Sequence, residues 1–327
     1  NDENKDAEQG QEGPTTKIDN GEASKTNGML SLEEEFRRDL ATLQLQEASW
    51  PLVDYSELGH ASKSSSTQTG GAEIAKQYDT LRDNLPLSLS ACVFVRTHET
   101  RLDRFSAIIS GPENTPYAHG LFLFEFSLPA SFPKDPPKAQ LLTTGGGRVR
   151  FNPNLYTCGK VCLSLLGTWT GRDASERWNR RSTLLQLLVS IQSLILVEEP
   201  FYNEPGYENH TNDLGYQMRS LKMNSILKKY VVKFAIIEML RKPPEHFKEA
   251  VLEYFRKKKD IILLEVSKWI KESLPFANQQ GTNIGPQDFN YAGQILSNAL
   301  IDHNEGVYLT QKDLDRLIDT FVECGIF

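Results

Sequence analysis

Asn152-Pro153-Asn154-Leu155-Tyr156-Thr157-Cys158-Gly159-Lys160-Val161-Cys162-Leu163-Ser164 is the stretch on which the reading of this chain turns. A glycine turn, Gly145-Gly146-Gly147, and Arg148-Val149-Arg150-Phe151 lead into it. Cys162 sits between apolar residues, a setting that more often holds an inert packed thiol than a nucleophile, because reactivity depends on the surroundings of the sulfur. Cys158 lies four residues upstream, but no second Cys/His pair lies nearby to complete a zinc site. The spacing is also not that of a Cys-x-x-Cys redox pair. A histidine partner meeting Cys162 only in space stays open.

Working outward, four segments have strand character: Leu89–Thr97, Arg104–Ser110, Leu121–Leu128 and Lys138–Thr143. The third is apolar at nearly every position, which suits a strand covered on one face and partly shielded on the other. Gly111-Pro112-Glu113-Asn114 and the Pro133 to Pro137 run are turn chemistry, and connections this short favour an antiparallel meander. Ala72–Asn84 has helical periodicity through Ile74, Tyr78 and Leu81 and is ended by Pro86. A buried helix is expected at Ser182–Val197, with Ser182 as its N-cap. The fold class that follows is α+β.

The flanks differ in composition. Residues 1–57 carry 14 Asp/Glu against 5 Lys/Arg, although the 327-residue chain has a formal charge of only −7. Residues 1–30 lack the apolar content to offset chain entropy and read as a disordered acidic segment. Residues 31–55 hold an amphipathic helix, read over 31–47, with a Ser31/Glu34 capping box and Leu32, Phe36, Leu40 and Leu43 at helical spacing. Either it docks on the main domain or it binds a partner. Residues 56–71 form a Ser/Thr/Gly linker and 72–210 the core domain. Residues 211–327 are a helical extension, with helices expected at Tyr216–Leu240, Pro244–Phe255, Asp260–Ser273, Gln287–Leu300 and Thr310–Phe321. Arg219 to Lys259 carries 12 Lys/Arg against 4 Asp/Glu, a solvated face or a surface for acidic partners.

A composition of 39% apolar and 24% charged residues excludes a wholly disordered or collagen-like chain. No apolar run is long enough to cross a membrane, and the overall acidity disfavours general nucleic-acid binding, so neither partner is expected. Four cysteines are too few for a disulfide scaffold and suggest a reducing compartment. Asn1 in place of an initiator Met reads as a sign that the chain is a processed or excised piece of something longer.

The ordered set Gly111-Pro112, Pro116-Tyr117, Gly120, Phe132-Pro133, Pro136-Pro137-Lys138, Asn152-Pro153-Asn154, Gly159, Cys162-Leu163, Trp178 and the helix Leu185–Leu196 resembles the ubiquitin-conjugating (E2) domain, from about Ala72 to Tyr207. The Gly159–Gly171 stretch, with Trp169 inside it, and Asn203-Glu204-Pro205-Gly206-Tyr207 look like the large hybrid E2/E3 class: the E2-O type, the BRUCE/apollon type and the plant phosphate-signalling type. Those enzymes carry the domain near the end of a very long polypeptide.

The resemblance implies a UBC fold: an N-terminal helix, a four-stranded antiparallel meander, an active-site loop and following helices. It implies ubiquitin, a ubiquitin-activating enzyme, protein substrates and regions of a larger parent polypeptide as partners, with no metal or organic cofactor; ATP belongs to the activating enzyme. Cys162 becomes the thioester-forming nucleophile and Asn154 an oxyanion stabiliser or a loop-bracing amide. The acidic residue that positions the acceptor lysine falls on Tyr202 without gaps, or on Glu204 with two extra residues; Glu204 is favoured because Asn203-Glu204-Pro205 restores an acidic-then-Pro pattern.

Three departures stand out. Asn152 replaces the family's His, a change shared within the large class. About nine extra residues, around Thr170 to Arg177, precede Trp178 and are expected to overhang the active site. The two ligase-contact loops carry Lys134 and Asn179-Arg180-Arg181 where an apolar groove is usual, which implies limited dependence on RING ligases. A catalytically silent UBC module and an E2 for another modifier are the competing readings. The expected location is the cytoplasm, with the nucleus as a second compartment.

Overall fold

The computed structural model describes residues 30–52, 71–169, 176–277 and 306–326. Helix α1 (Leu32–Leu40) starts at the expected capping box, in which Ser31 and Glu34 bond each other's backbone N–H. Strand β1 (Leu45–Ala48) follows, then α2 (Gly71–Asn84), β2 (Val93–His98), β3 (Arg101–Ser110), β4 (Leu121–Ser127) and β5 (Lys138–Leu141). After the active-site loop come α3 (Leu184–Ser190), α4 (Leu214–Tyr230), α5 (Glu238–Arg241), α6 (Lys248–Ala277) and α7 (Gln311–Glu323).

The sheet runs in the order β1-β2-β3-β4-β5. Strands β2 to β5 are the expected antiparallel meander. The fifth strand is a difference: β1 pairs in parallel with β2, Leu45 opposite Val95. The amphipathic helix read over 31–47 therefore stops at Leu40, with a single turn at Ala41–Leu43 before the strand. The open edge of β2 offers unpaired backbone groups, and satisfying them outweighs local helix propensity. Gln44 locks the junction, its amide Nε2 donating to the carbonyls of Pro86 (2.9 Å) and Leu85 (3.3 Å).

Helices cover both faces of the sheet. On one face α2 and α3 lie over a stack of aromatic rings, with Phe105 parallel to Phe126 at 4.4 Å and edge-on to Tyr78. The Thr183 side chain accepts from Gln186 N and is the N-cap of α3; the expected cap, Ser182, is spent one turn earlier, where its hydroxyl accepts from Asn179 N. Beyond Ser190 the helix widens into a π turn at Ile191–Ile195. On the other face lie α1 and the C-terminal helices. Tyr254 of α6 is 1% exposed and meets Phe36 and Phe94 edge-on.

The C-terminal segment is thus core material. The expected helices Pro244–Phe255 and Asp260–Ser273 are one helix, α6, running through the Arg256–Asp260 charge run. Within that run Lys258 turns inward, is 1% exposed and donates to the Leu89 carbonyl. The helix expected at Tyr216–Leu240 begins at the Asp213 cap and reaches Arg241 through a π segment at Val231–Ile237. Gln287–Leu300 lies outside the described residues, as do residues 1–29 and 53–70.

Arg96 pins the layers together. It is 1% exposed, donates from Nε to the His246 carbonyl (2.7 Å) and from Nη1 to the Leu43 carbonyl (2.9 Å), and lies 4.7 Å from the Phe247 ring centroid. Tyr254→Ala should lower stability by about 3–5 kcal/mol, as for other buried aromatics. Chemical denaturation checks this, and a loss below about 1 kcal/mol would mean that α6 does not contribute to the core.

Candidate active site

The site is a hairpin laid against β5. Leu155 bridges Val161, Tyr156 N donates to the Lys160 carbonyl (3.0 Å), and the turn closes at Gly159, whose N–H donates to the Tyr156 carbonyl (2.9 Å). Gly159 has φ +87°, and its own carbonyl accepts from Leu141 N. A Cβ there would lie 2.5 Å from the Leu141 carbonyl oxygen. Both facts require glycine. The hairpin carries exposed Cys158 at its tip and buried Cys162 at its return.

Asn152 is wholly buried and organises the loop. Its Nδ2 donates to the Ile195 carbonyl at the end of the α3 rod (2.7 Å) and to the Tyr117 hydroxyl (3.3 Å). Its Oδ1 accepts from Asn154 N (2.8 Å) and from Asn203 Nδ2 (3.4 Å). The Tyr117 hydroxyl in turn donates to the Phe151 carbonyl (2.6 Å). A neutral amide thus donates and accepts at once, with no tautomer to assign.

Asn154 faces Cys162 across the loop. Cys162 N donates to the Asn154 carbonyl (2.8 Å), and Asn154 Nδ2 donates to the Cys162 carbonyl (2.9 Å). At rest the amide braces the loop. It holds one further N–H, while its buried Oδ1 has no partner among the described residues. Pro153 is buried, and its carbonyl accepts from Arg150 Nη2.

The Cys162 side chain is largely removed from water, which pushes its thiol above the usual cysteine range. Lys160, the Tyr156 hydroxyl and Arg150 pull the other way without overcoming that burial. Glu204 follows Asn203, whose side chain is tied to Asn152 of the loop and to the Leu194 carbonyl. Its carboxyl is raised from 4.5 to about 7 by desolvation, with Arg150 opposing the shift. Glu204 Oε2 is buried without a partner among the described residues, and so is the hydroxyl of Tyr202, the gap-free alternative. Tyr202 cannot supply a carboxylate, and its phenol is itself pushed upward by burial, Glu199 and Asp213.

The remaining expected residues lie around this centre. Thr168 staples the loop after Cys162, donating to the Val161 carbonyl (2.7 Å) and accepting from Leu163 N (3.0 Å). Trp169 is 36% exposed at the edge of the insertion. Residues 170–175 lie outside the described residues, but Glu176 beyond them accepts from Ser164 Oγ at 3.3 Å, so both flanks of the insertion border the thiol loop. Trp178 Nε1 donates to the Pro133 carbonyl (2.9 Å) and its ring lies 5.8 Å from Phe132, across a cis Phe132–Pro133 bond. That contact joins the two ligase-type loops and leaves Lys134, Arg180 and Arg181 exposed on one flank. Arg150 and Tyr156 are the residues that sequence reasoning passed over.

The ubiquitin-conjugating enzyme family model matches residues 73–229. Over 307 residues the chain is 37% identical to "Putative ubiquitin-conjugating enzyme E2 38" of Arabidopsis thaliana, covering 92% of this chain and 86% of that protein. The chain belongs to the ubiquitin-conjugating enzyme family. It is 46% identical over 197 residues to "Probable ubiquitin-conjugating enzyme protein 17" of Caenorhabditis elegans, and 44% identical over 208 residues to the human "Dual E2 ubiquitin-conjugating enzyme/E3 ubiquitin-protein ligase BIRC6". These matches cover 60% and 63% of this chain but only 27% and 4% of those proteins. The matched region therefore carries the family's fold and the loop just described.

The two thiols should differ sharply. Cys158 is exposed whereas Cys162 is buried with its thiol held protonated, so iodoacetamide at pH 7 should label Cys158 first. Peptide mapping after timed alkylation reads the order; equal labelling rates would contradict the buried setting of Cys162.

Proposed function

We propose that this chain is an active ubiquitin-conjugating enzyme that carries ubiquitin as a thioester on Cys162 and passes it to a lysine amine. The supporting observation is a loop that holds a shielded Cys162 thiol and an Asn154 amide bonded to the Cys162 carbonyl, with the desolvated Glu204 carboxyl on the segment tied to Asn152. In the first step the Cys162 thiolate attacks the thioester carbonyl joining the activating enzyme to the C-terminal glycine of ubiquitin. The activating enzyme's thiol leaves, and the thioester energy is conserved. In the second step the acceptor amine attacks the new thioester, the C–S bond breaks and the sulfur departs as thiolate, while the lysine proton is lost to Glu204 or to water.

Asn154 is proposed to turn its second N–H toward the oxyanion of that step. Removing one such donor typically costs about 10²–10³ in rate. Glu204 is proposed to hold and deprotonate the lysine, a role for which a carboxyl titrating near neutrality is well placed. Asn152 and Pro153 shape the loop, and Trp169 borders the acceptor's path.

Ubiquitin, its activating enzyme and protein substrates are the proposed partners, and the cytoplasm the proposed location. Direct substrate selection, as an E2/E3 hybrid, is supported by the cationic flank of Lys134, Arg180 and Arg181, which does not suit an apolar ligase groove.

Incubation with activating enzyme, ATP and ubiquitin should give a thiol-sensitive adduct on a non-reducing gel. Cys162→Ala should abolish it, and Cys162→Ser should trap a thiol-resistant ester. An adduct that survives in Cys162→Ala, or none in the wild type, would overturn the reading. Asn154→Ala should still load but discharge to free lysine about 10²–10³ more slowly.

Glu204→Gln separates the carboxyl's role from packing. A raised carboxyl favours the fold below about pH 4.5 and loses that contribution as the pH rises through about 7. The Gln variant should therefore match the wild type in melting temperature near pH 4 and exceed it at pH 8, while discharging more slowly at pH 8. A panel of RING domains should stimulate discharge weakly. Robust stimulation unaffected by Lys134→Ala would contradict the cationic-loop argument.

A further inference from the structure

The hairpin that carries the thiol holds an amine on the same face. The antiparallel bridge between Leu155 and Val161 sets its register, with Tyr156 opposite Lys160 and Asn154 opposite Cys162. Tyr156 N donates to the Lys160 carbonyl (3.0 Å) and Cys162 N to the Asn154 carbonyl (2.8 Å), which holds that register on both sides of the bridge. Leu155 and Val161 are almost wholly buried and point into the core. Side chains alternate along a strand, so Asn154, Tyr156, Lys160 and Cys162 project from the other face.

The Lys160 side chain is exposed and lies on that face, its Nζ 5.7 Å from the centroid of the Tyr156 ring. The same ring is already stacked by the Arg150 guanidinium at 4.4 Å. Among the described residues Lys160 forms no ion pair, so no carboxylate holds the ammonium in place. Its backbone is fixed, because Lys160 also bridges Gln140 of β5. Lys160 and Cys162 are two residues apart, and two peptide units keep their Cα atoms within about 7 Å in any conformation. A flexible four-carbon stem covers that span. A carbonyl carried on the Cys162 sulfur therefore lies within reach of an amine of its own chain.

We propose that Lys160 is a modification site, an in-cis acceptor that takes ubiquitin from Cys162 and shuts the enzyme off when no outside lysine arrives. The proposal rests on the thioester reading above and gives the same intermediate a second fate. The free amine of Lys160 attacks the thioester carbonyl, the C–N bond forms, the C–S bond breaks and the Cys162 sulfur leaves as thiolate. The proton that the amine loses returns to that sulfur, so the products are a thiol and an isopeptide and no further reactant is consumed. One hairpin replaces a bimolecular encounter, an advantage that reaches about 10⁵–10⁸ M for well-oriented groups. No hydrogen bond among the described residues orients the Lys160 Nζ, so this is the slow route, overtaken whenever a substrate lysine docks. Its product carries a whole ubiquitin two residues from a thiol that is only 3% exposed, which bars the next charged activating enzyme.

The test uses the full chain, activating enzyme, ATP and a ubiquitin whose lysines are all arginine, so that no chain forms. After loading, ATP is removed and no lysine is added. The thiol-sensitive adduct should convert to a thiol-resistant one of the same size, with a rate constant that is the same at widely different enzyme concentrations. Tryptic mapping should place the diglycine remnant on Lys160. Lys160→Arg keeps the cation and removes the nucleophile; it should load at Cys162 and form the thiol-resistant product at least about tenfold more slowly. Wild-type chain isolated with ubiquitin on Lys160 should fail to form a new thioester.

A remnant on any other lysine, a rate constant that rises with enzyme concentration, or a thioester that decays only by hydrolysis overturns the proposal. Reloading of the Lys160-modified chain at the unmodified rate does the same. Should Lys160→Arg fail to fold, the mapping on wild-type protein still decides. Absence of any thiol-sensitive adduct in the wild type would instead overturn the thioester reading itself, so the two failures are distinguishable.

Discussion

The buried amide of Asn152 is the contact on which the site depends. Removed from water on every side, it has both N–H groups and its oxygen engaged, and each bond goes to a different piece of chain. Ile195 belongs to the π turn that extends α3, Tyr117 to the turn before β4, Asn154 to the thiol loop, and Asn203 to the segment carrying Glu204. A buried polar group left unmatched costs about 1–3 kcal/mol. An arrangement that satisfies all of them together is therefore strongly selected over its neighbours. The relative placement of thiol, amide and carboxyl follows from that one satisfied hub.

The hub needs a rigid surround, and the sheet supplies it. The all-buried β2 and the buried half of β3 have helices on both faces, so the framework under the thiol hairpin has little room to deform. Arg96 ties the N-terminal arm to the start of the C-terminal helices through the carbonyls of Leu43 and His246. Trp50 stacks on His246 and meets His98 edge-on on the same side. These segments lie on the sheet face opposite α2 and α3, and they brace the site without touching it.

The legible parts of the fold were those with a local cause. Strands β2 to β4 announce themselves by β-branched and aromatic runs cut by Gly and Pro, β5 by its place between the Pro133 to Pro137 turn and the Gly145-Gly146-Gly147 turn, and α1 by its capping box. Strand β1 does not, since Leu-Gln-Glu-Ala has no strand character and pairs only because β2 presents an open edge. Helix α6 was expected as two pieces, Pro244–Phe255 and Asp260–Ser273, with the Arg/Lys run between them read as a solvated face; the inward turn of Lys258 is a tertiary fact that no spacing encodes. In the site, Asn152, Asn154 and Cys162 were readable as an ordered motif and the geometry gathers them. Arg150 and Tyr156 were readable only as a charge and a ring near that motif. The one local signal was a cation set between two strongly apolar residues, Val149 and Phe151, where burial of a charge implies a bound partner.

The electrostatics of the site have a chemical logic of their own. A thiol whose burial outweighs its cationic neighbours stays protonated at rest, and in that form it is a poor target for oxidants and alkylating agents. In the proposed cycle the same desolvation acts again on the second step, because a thiolate of high pKa is the poorer leaving group and the thioester waits for an oriented amine. Glu204 has the complementary bias: desolvation raises its carboxyl to about 7, so that near neutral pH a share of it is ionised and, in the proposed cycle, able to take the lysine proton.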